Sequence, residues 1–220
     1  DAYAGLMMEL IQGEGGFYPG TKSFFMALIE VCKSHSIPIF IDEIQTFGRT
    51  DHLFAYQHFG LQDHVDIVTV GKLSQVCATL YNQALQPKPG LVSQTFTSSA
   101  TAISAAIHVL DELTQNGYLG QDGLIMSRSN QMRDGLKSIA QRRPDIVEGP
   151  YGYGGMIAFT SYKGDPERTM AYIRRLYEAG VIVFINGNDP LRVRFLMPIG
   201  GVTETDIQKV LVVVEECLDP

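Results

Sequence analysis

The alternation of short apolar runs with helical patterns in the first hundred residues constrains the fold most. Strand-like runs occur at Leu6–Ile11, Ile37–Ile41 and Val65–Val70, with an amphipathic pattern at Thr21–Ser34 and a short helical stretch around Leu53–His58. Apolar runs joined by helices are typical of parallel strands, because both faces of such a sheet are covered. Their connections should be right-handed crossovers. The sequence therefore predicts an α/β fold with a mostly parallel sheet.

Two further helices are predicted at Ser98–Glu112 and at roughly Gly123–Gln141. After Arg143-Pro144 the pattern changes to that of a small α+β unit, and residues 113–145 link it to the first part of the chain. This unit is predicted to contain strands in the stretches GMIAFTSY, GVIVFI and LRVRFL, and helices at Pro166–Ala179 and Glu204–Cys217. The glycines of YGYGGM precede a strand rather than opening a helix, so they predict a turn and not a nucleotide-binding loop. We expect residues 1–118 to be part of a large domain, and residues 119–220 to be a linking helix and a small C-terminal domain.

Charge and cysteine content narrow the class of protein. The net charge is −7 and the basic residues are scattered, which argues against nucleic acid or an anionic membrane as the main partner. The apolar runs are too short to span a bilayer, and no basic, apolar leader begins the chain. The three widely spaced cysteines form neither a metal-ligand pair nor a disulfide framework. These features predict a cytoplasmic, globular protein.

Two acids, Asp42 and Glu43, directly follow the second apolar run. This is the pattern of a Walker B strand, which holds Mg²⁺ beside a phosphate-binding loop. The loop requires G-x-x-x-x-G-K-[ST], so that backbone amides can surround the phosphates. The stretch VTVGKLSQ lacks the earlier glycine, has Leu73 at the hydroxyl position, and follows the acids rather than preceding them. The sequence therefore does not favour a nucleotide hydrolase.

A different chemistry follows from the predicted sheet. Asp42 ends one strand and Lys72 lies just beyond the end of the next, and in open α/β sheets the ligand crevice lies at those carboxyl ends. Pyridoxal phosphate (PLP) chemistry requires a lysine that forms a Schiff base and a carboxylate that keeps the pyridine nitrogen protonated. On spacing alone, the alternative stays open that Asp42 caps a loop and Lys72 is a solvated lysine.

Five blocks of the sequence resemble the class III (ornithine- and 4-aminobutyrate-type) aminotransferases. They occur in that family's order, cover nearly the whole chain, and read MMELIQGEGG, IFIDEIQTFGRT, VDIVTVGK, QTFTSSATAISAAIHVLDEL and RVRFLMPIGGVTETDI. The resemblance implies a fold-type I PLP-dependent enzyme that works as a homodimer with shared active sites. It also implies transfer of an amino group, often a terminal one, from a diamine or ω-amino acid to a 2-oxo acid.

The resemblance also implies roles for individual residues at the cofactor. Lys72 would be the Schiff-base lysine and the proton shuttle, and Asp42 would pair with the pyridinium nitrogen. Ile44 would lie against a face of the ring, and Gln45 would approach its 3-hydroxyl. Thr95 would contact the cofactor phosphate in the neighbouring subunit's site, although the register leaves Thr97 or Ser98 as alternatives.

Substrate binding is implied for two further residues. Arg194 matches the family arginine that binds the substrate α-carboxylate, a bidentate task suited to a guanidinium. Glu14 matches the acid that pairs with that arginine when a substrate presents an amine instead, and Glu9 matches a nearby acid of the same block. Without the motif, Arg194, which alternates with Arg192 on an edge-like strand, would be interpreted as part of a solvated salt bridge. The histidines have no ligand spacing, so no metal or catalytic role is predicted for them.

Several departures from the family bear on function. No glycine-rich run follows Lys72, where the chain reads LSQVCATLY; QTFGRT is one residue shorter than usual, and TFTSSA replaces TFGGNP. The family's N-terminal segment, with its phosphate-binding loop and ring-stacking aromatic, has no counterpart, so we expect this chain to be the C-terminal part of an aminotransferase with an incomplete cofactor pocket. An aminomutase or racemase on the same scaffold, or a catalytically inactive dimerisation module, are the alternatives.

Overall fold

The computed structural model describes residues 3–91 and 99–218 of the chain. The described residues form two compact units, one made of residues up to 10 together with 20–120, the other of 11–19 together with residues from 121 onward. The segment 11–19 joins the second unit through side chains that lie 173 and 176 positions further along. Such distant partners leave no local pattern in the sequence. The domain boundary at residue 118 stays a prediction.

The first unit contains a four-stranded sheet in the order β1-β2-β3-β4. Strands β1 (Leu6–Met8), β2 (Ile39–Asp42) and β3 (Ile67–Val70) pair in parallel, and β4 (Ala78–Tyr81) pairs with β3 in the antiparallel direction. The predicted α/β class with a mostly parallel sheet is confirmed. Strand β4 was not predicted, because its residues are largely exposed and carry no buried apolar run.

Helices and aromatic side chains cover this sheet. Helix α1 (Lys22–Ser34) begins after Thr21, whose Oγ1 accepts a hydrogen bond from the backbone N–H of Phe24 at 3.2 Å, as expected of an N-cap threonine. The unit is completed by α2 (Ala55–His58) and α3 (Ala100–Gln115). The core of this unit consists of apolar side chains that expose less than a tenth of their surface, among them Phe25, Ile29, Ile39, Ile41, Phe47, Val68 and Val70.

The second unit contains an antiparallel sheet in the order β5-β6-β8-β7. Its strands are β5 (Val147–Tyr153), β6 (Met156–Ser161), β7 (Phe184–Asn186) and β8 (Arg192–Leu196). The glycines of YGYGGM, predicted as a turn, include the β5–β6 connection, but Gly152 lies within β5. A Cβ at Gly152, where φ is +88°, would lie 2.1 Å from the carbonyl oxygen of Met156, so only glycine fits.

Three helices belong to the second unit: α4 (Leu124–Arg142), α5 (Pro166–Glu178) and α6 (Glu204–Glu216). Helix α6 begins at a capping box between Thr203 and Asp206. Among the described residues, no helix is both long and apolar enough to cross a membrane.

Candidate active site

Asp42 is the last residue of β2, and its carboxylate is held in a fixed orientation. Its Oδ1 accepts a hydrogen bond from the backbone N–H of Ile44 at 2.9 Å and another from the Thr69 hydroxyl at 3.2 Å. Thr69 is also the register partner of Asp42 on β3. The side chain is half-buried at the carboxyl edge of the sheet, and the two donors fix its orientation. This is the edge at which open α/β sheets bind ligands.

Lys72 lies two residues beyond the end of β3, at the same carboxyl edge as Asp42, because β2 and β3 are parallel. It is exposed and begins a 3₁₀ turn over Lys72–Ser74, which closes with a hydrogen bond from Gln75 N to Lys72 O at 3.0 Å. Lys72 and Gln75 both have positive φ, 53° and 60°. Such conformations are costly for residues with a side chain.

One departure from the family pattern concerns the segment directly after Lys72. The stretch LSQVCATLY after Lys72 contains no glycine, yet the chain enters the left-handed region at Lys72 and again at Gln75 before it starts β4. Glycine would adopt these angles at no steric cost. The segment therefore makes its turn with ordinary side chains and continues as the antiparallel edge strand.

Gly71 gives Ile44 access to the backbone beside Lys72. A Cβ at Gly71 would lie 2.8 Å from Ile44 Cδ1 and 3.5 Å from Cys77 Sγ. The absence of a side chain therefore lets the Ile44 methyl group sit against the chain immediately before Lys72. Gly71 was not singled out from the sequence, although the G-K pair of VDIVTVGK was the available signal.

The shortened loop after Asp42 forms a tight turn. Gln45 is buried, and its carbonyl oxygen accepts a hydrogen bond from Arg49 Nη1 at 2.8 Å. Burial lowers the pKa of the Arg49 guanidinium. Gly48 adopts a φ of +65°, and a Cβ there would lie 2.8 Å from Leu73 Cδ2. The turn therefore requires glycine at position 48, both for its positive φ and for the close approach of Leu73.

Glu43 is buried and has hydrogen-bond partners different from those of Asp42. It is fully buried, and its carboxylate accepts hydrogen bonds from the backbone N–H groups of Ala55 at 3.0 Å and Tyr56 at 2.9 Å, and from the Thr46 hydroxyl. Burial raises the pKa of the Glu43 carboxyl despite these donors. Glu43 therefore satisfies the first N–H groups of α2.

In the second unit the structure brings Glu14 and Arg194 together. Arg194 Nη1 lies 2.8 Å from Glu14 Oε1, and the guanidinium carbon lies 5.8 Å from the centre of the Phe17 ring. The Glu14 side chain is largely exposed while that of Arg194 is mostly covered. The ion pair therefore joins an exposed carboxylate to a guanidinium that the protein covers.

The turn that carries Glu14 is fastened to the strands beside Arg194. The backbone N–H of Gly187 donates to the Glu14 carbonyl oxygen at 2.8 Å, and Asn186 Nδ2 donates to the Gly13 carbonyl oxygen at 3.2 Å. Asn186 is the last residue of β7. The backbone of Glu14 is therefore fixed even though its carboxylate is exposed.

Arg192 makes the most extensive contacts with this turn. It is 3% exposed, donates to the Gly16 carbonyl oxygen, and lies between the rings of Tyr18 and Tyr151 at 4.0 and 3.6 Å from their centres. The strand that carries Arg192 is not an edge strand as its sequence suggested, because β8 lies between β6 and β7. Sequence reasoning missed its role, since its acceptor and both rings are distant in the chain.

Thr95 and Glu9 are the remaining residues for which the family resemblance implies a place in the site. Thr95 lies outside the described residues, as do its alternatives Thr97 and Ser98. Glu9 directly follows β1 and is half-buried.

Comparison with solved structures defines the class of protein. The chain superposes on 96% of its length with lysine aminotransferase from Mycobacterium tuberculosis, at a TM-score of 0.82 and 28% identity, and covers 48% of that chain. The ornithine aminotransferase from Toxoplasma gondii shares the fold at a TM-score of 0.83 and 23% identity, and 51% of it is covered. The fold is that of a PLP-dependent aminotransferase.

The sequence comparisons specify the family. The profile described as Aminotransferase class-III matches residues 1–218, so the chain belongs to the class III aminotransferases, whose members are PLP-dependent. It is 30% identical to acetylornithine aminotransferase of Caldanaerobacter subterraneus subsp. tengcongensis and 28% identical to 4-aminobutyrate aminotransferase of Escherichia coli. These matches cover 99% and 98% of this chain but 54% and 52% of the relatives. The chain spans about half the length of the curated relatives it matches.

Proposed function

We propose that the protein to which this chain belongs is a PLP-dependent aminotransferase that moves an amino group from a diamine or ω-amino acid to a 2-oxo acid. The observation that carries the proposal is the position of Asp42 and Lys72 at the carboxyl ends of adjacent parallel strands. Relatives named for acetylornithine, 5-aminovalerate and 4-aminobutyrate support a donor with a terminal amine.

The residues present fit the cofactor. Lys72 is exposed, so its amine is accessible to an aldehyde. The Asp42 carboxylate is oriented by two donors on Oδ1, and its other oxygen would face the ring nitrogen. When bound, PLP supplies an electron sink for the carbanion that forms at the substrate carbon.

Each residue of the first unit then has a defined task. Lys72 would hold the cofactor through Nζ, and the same amine would move a proton at the substrate carbon. Asp42 keeps the pyridine nitrogen protonated, since a carboxylate beside it favours the charged form. Ile44 would contact one face of the ring and Gln45 would approach the 3-hydroxyl. Thr95 would contact the phosphate of the neighbouring subunit's cofactor, and the enzyme would then work as a homodimer.

The second unit would recognise the substrate. Arg194 binds the carboxylate of the 2-oxo acid through two parallel N–H donors. Glu14 occupies Arg194 when the carboxylate is absent, and the 2.8 Å ion pair supports this exchange. A donor that presents an amine in place of a carboxylate would leave this ion pair intact.

A cytosolic location belongs to the same proposal. Cys32, Cys77 and Cys217 are free thiols, which suits a reducing compartment.

Trapping of the cofactor tests the proposed function. The full-length protein should be yellow, and borohydride should fix the cofactor to Lys72 Nζ as a stable amine. Peptide mapping by mass spectrometry should find the added mass on the peptide that contains Lys72 and not on one that contains Lys88, an exposed lysine of the same unit. A full-length protein that stays colourless with added PLP would exclude the enzyme.

Replacement of Arg194 with alanine tests substrate recognition. Loss of a charge-assisted hydrogen-bond pair should cost about 1.5–3 kcal/mol of binding, which is roughly a tenfold to hundredfold rise in KM for the 2-oxo acid. The donor half-reaction with a diamine should change less, and stopped-flow absorbance separates the two half-reactions. Arg174→Ala, an exposed arginine on α5, is the matched control. Unchanged kinetics in both half-reactions would remove Arg194 from the site.

A further inference from the structure

Three potential metal ligands converge in the first unit, outside the residues proposed for transamination. The Asp51 carboxylate lies between two imidazoles, with Oδ1 at 2.8 Å from His58 Nδ1 and Oδ2 at 3.2 Å from His52 Nδ1. All three ligand atoms lie within 4.8 Å of one another. The carboxylate is buried, while the two imidazoles reach the surface.

The backbone holds these ligands in place. The Asp51 carbonyl oxygen accepts a hydrogen bond from Gly120 N at 2.7 Å. Thr50 Oγ1 donates to the His52 carbonyl oxygen at 2.8 Å and accepts from the His52 N–H at 3.2 Å. His58 is the last residue of α2. The three side chains therefore project from a constrained turn and from a helix end, not from flexible segments.

We propose that Asp51, His52 and His58 bind one divalent metal ion of the Zn²⁺ and Co²⁺ kind. Two imidazoles and one carboxylate are a ligand set that Zn²⁺ and Co²⁺ accept, whereas Mg²⁺ and Ca²⁺ prefer oxygen ligands. Ligands on a tetrahedral ion with bonds of about 2.0–2.1 Å stand roughly 3.3 Å apart. The two imidazole nitrogens lie 2.8 and 3.2 Å from different oxygens of the Asp51 carboxylate, and the three ligand atoms lie within 4.8 Å of one another, so the side chains must shift until all three face a single ion.

The remaining coordination position belongs to water. The His52 side chain is 49% exposed and that of His58 is 24% exposed, so the ion can enter from solvent and keep a bound water molecule. The ion would tie the Asp51 turn to the end of α2. A carboxylate that merely accepts hydrogen bonds from two imidazoles has the same geometry but takes up no metal, and this is the alternative to be tested.

Metal binding is measured on the full-length protein, produced without a histidine tag and stripped with a chelator. Zn²⁺ titration by calorimetry should give one equivalent at this site, and Co²⁺ should give visible d–d absorption of a low-coordinate ion. Zn²⁺ should also raise the melting temperature, since the folded state alone presents the assembled ligands. His58→Gln and His52→Asn should each weaken Zn²⁺ binding by at least about tenfold and remove the Co²⁺ bands.

The matched control is His108→Gln, which removes an exposed histidine of α3 and should leave Zn²⁺ affinity, stoichiometry and Co²⁺ bands unchanged. Circular dichroism confirms that each variant is folded. Should His58→Gln fail to fold, His52→Asn decides alone, because its side chain is half exposed. Absence of Zn²⁺ binding in the native protein, or equal Zn²⁺ affinity in the native protein and His52→Asn, would overturn the proposal. Neither outcome depends on PLP binding or transamination.

Discussion

Replacing Lys72 with alanine in the full-length protein should lower amino-group transfer by at least about 10²–10⁴-fold, the contribution of a positioned proton-transferring group. The variant loses both the amine that holds the cofactor and the base that moves the proton, so the loss should exceed that of either function alone. Single-turnover absorbance with an ω-amino acid measures the donor half-reaction directly. Native-like turnover in the variant would assign the chemistry to a different residue.

The fold should survive this substitution, which makes the activity loss interpretable. Lys72 is exposed and already occupies positive φ with a side chain attached, so alanine adds no new backbone strain. Lys88→Ala, which removes another exposed lysine of the same unit, should retain activity. Equal melting temperatures for the two variants would show that loss of activity in Lys72→Ala is chemical and not structural.

The parallel strands could be predicted because burial on both faces demands continuous apolar runs. Strands β2 and β3 overlap the predicted runs Ile37–Ile41 and Val65–Val70, and the observed strand ends differ from the predicted ones by at most two residues. Strands β4 and β5 were missed for opposite reasons. The first is exposed and lacks an apolar face, and the second contains glycine and proline, which normally indicate a turn.

Some residues of the candidate site could likewise be predicted from the sequence, and others could not. Asp42 and Lys72 could be predicted from their position at strand ends and from the motifs around them. The tasks of Gly71 and Arg192 depend on atoms of other segments, a methyl group of Ile44 in one case and two tyrosine rings in the other. Sequence spacing contains no information about such approaches.

The Asp51–His58 cluster was missed for a related reason. Neither histidine has a standard ligand spacing, and no metal role was predicted for them. Convergence of the two Nδ1 atoms on Asp51 depends on the turn at Thr50–His52 and on where α2 ends. Glu43 likewise accepts hydrogen bonds from the backbone amides at the start of α2, which lie twelve and thirteen residues further along the chain.

Glu43→Ala should be the most destabilising single substitution considered for this chain, at roughly 3–5 kcal/mol of unfolding free energy. It removes the acceptor for the buried N–H groups of Ala55 and Tyr56, each of which costs about 1–3 kcal/mol when left unsatisfied. Urea denaturation measures the change. The control is Glu30→Ala on the exposed face of α1, where a change within about 0.5 kcal/mol is expected.

The pH dependence of unfolding separates Glu43 from ordinary surface acids. Burial raises its pKa in the folded state above the ordinary value of 4.5, so the folded protein binds a proton more tightly than the unfolded chain. The stability from this group is therefore fully present below pH 4.5 and is lost as the pH rises through the folded pKa. Glu43→Gln, which cannot titrate, should remove this decline, whereas Glu30→Gln should keep it. A decline of equal size in Glu43→Gln and the native protein would mean that another group causes it. Loss of the decline in Glu43→Gln would separate the roles of the two adjacent acids: Asp42 lies at the proposed cofactor site, and Glu43 stabilises the start of α2.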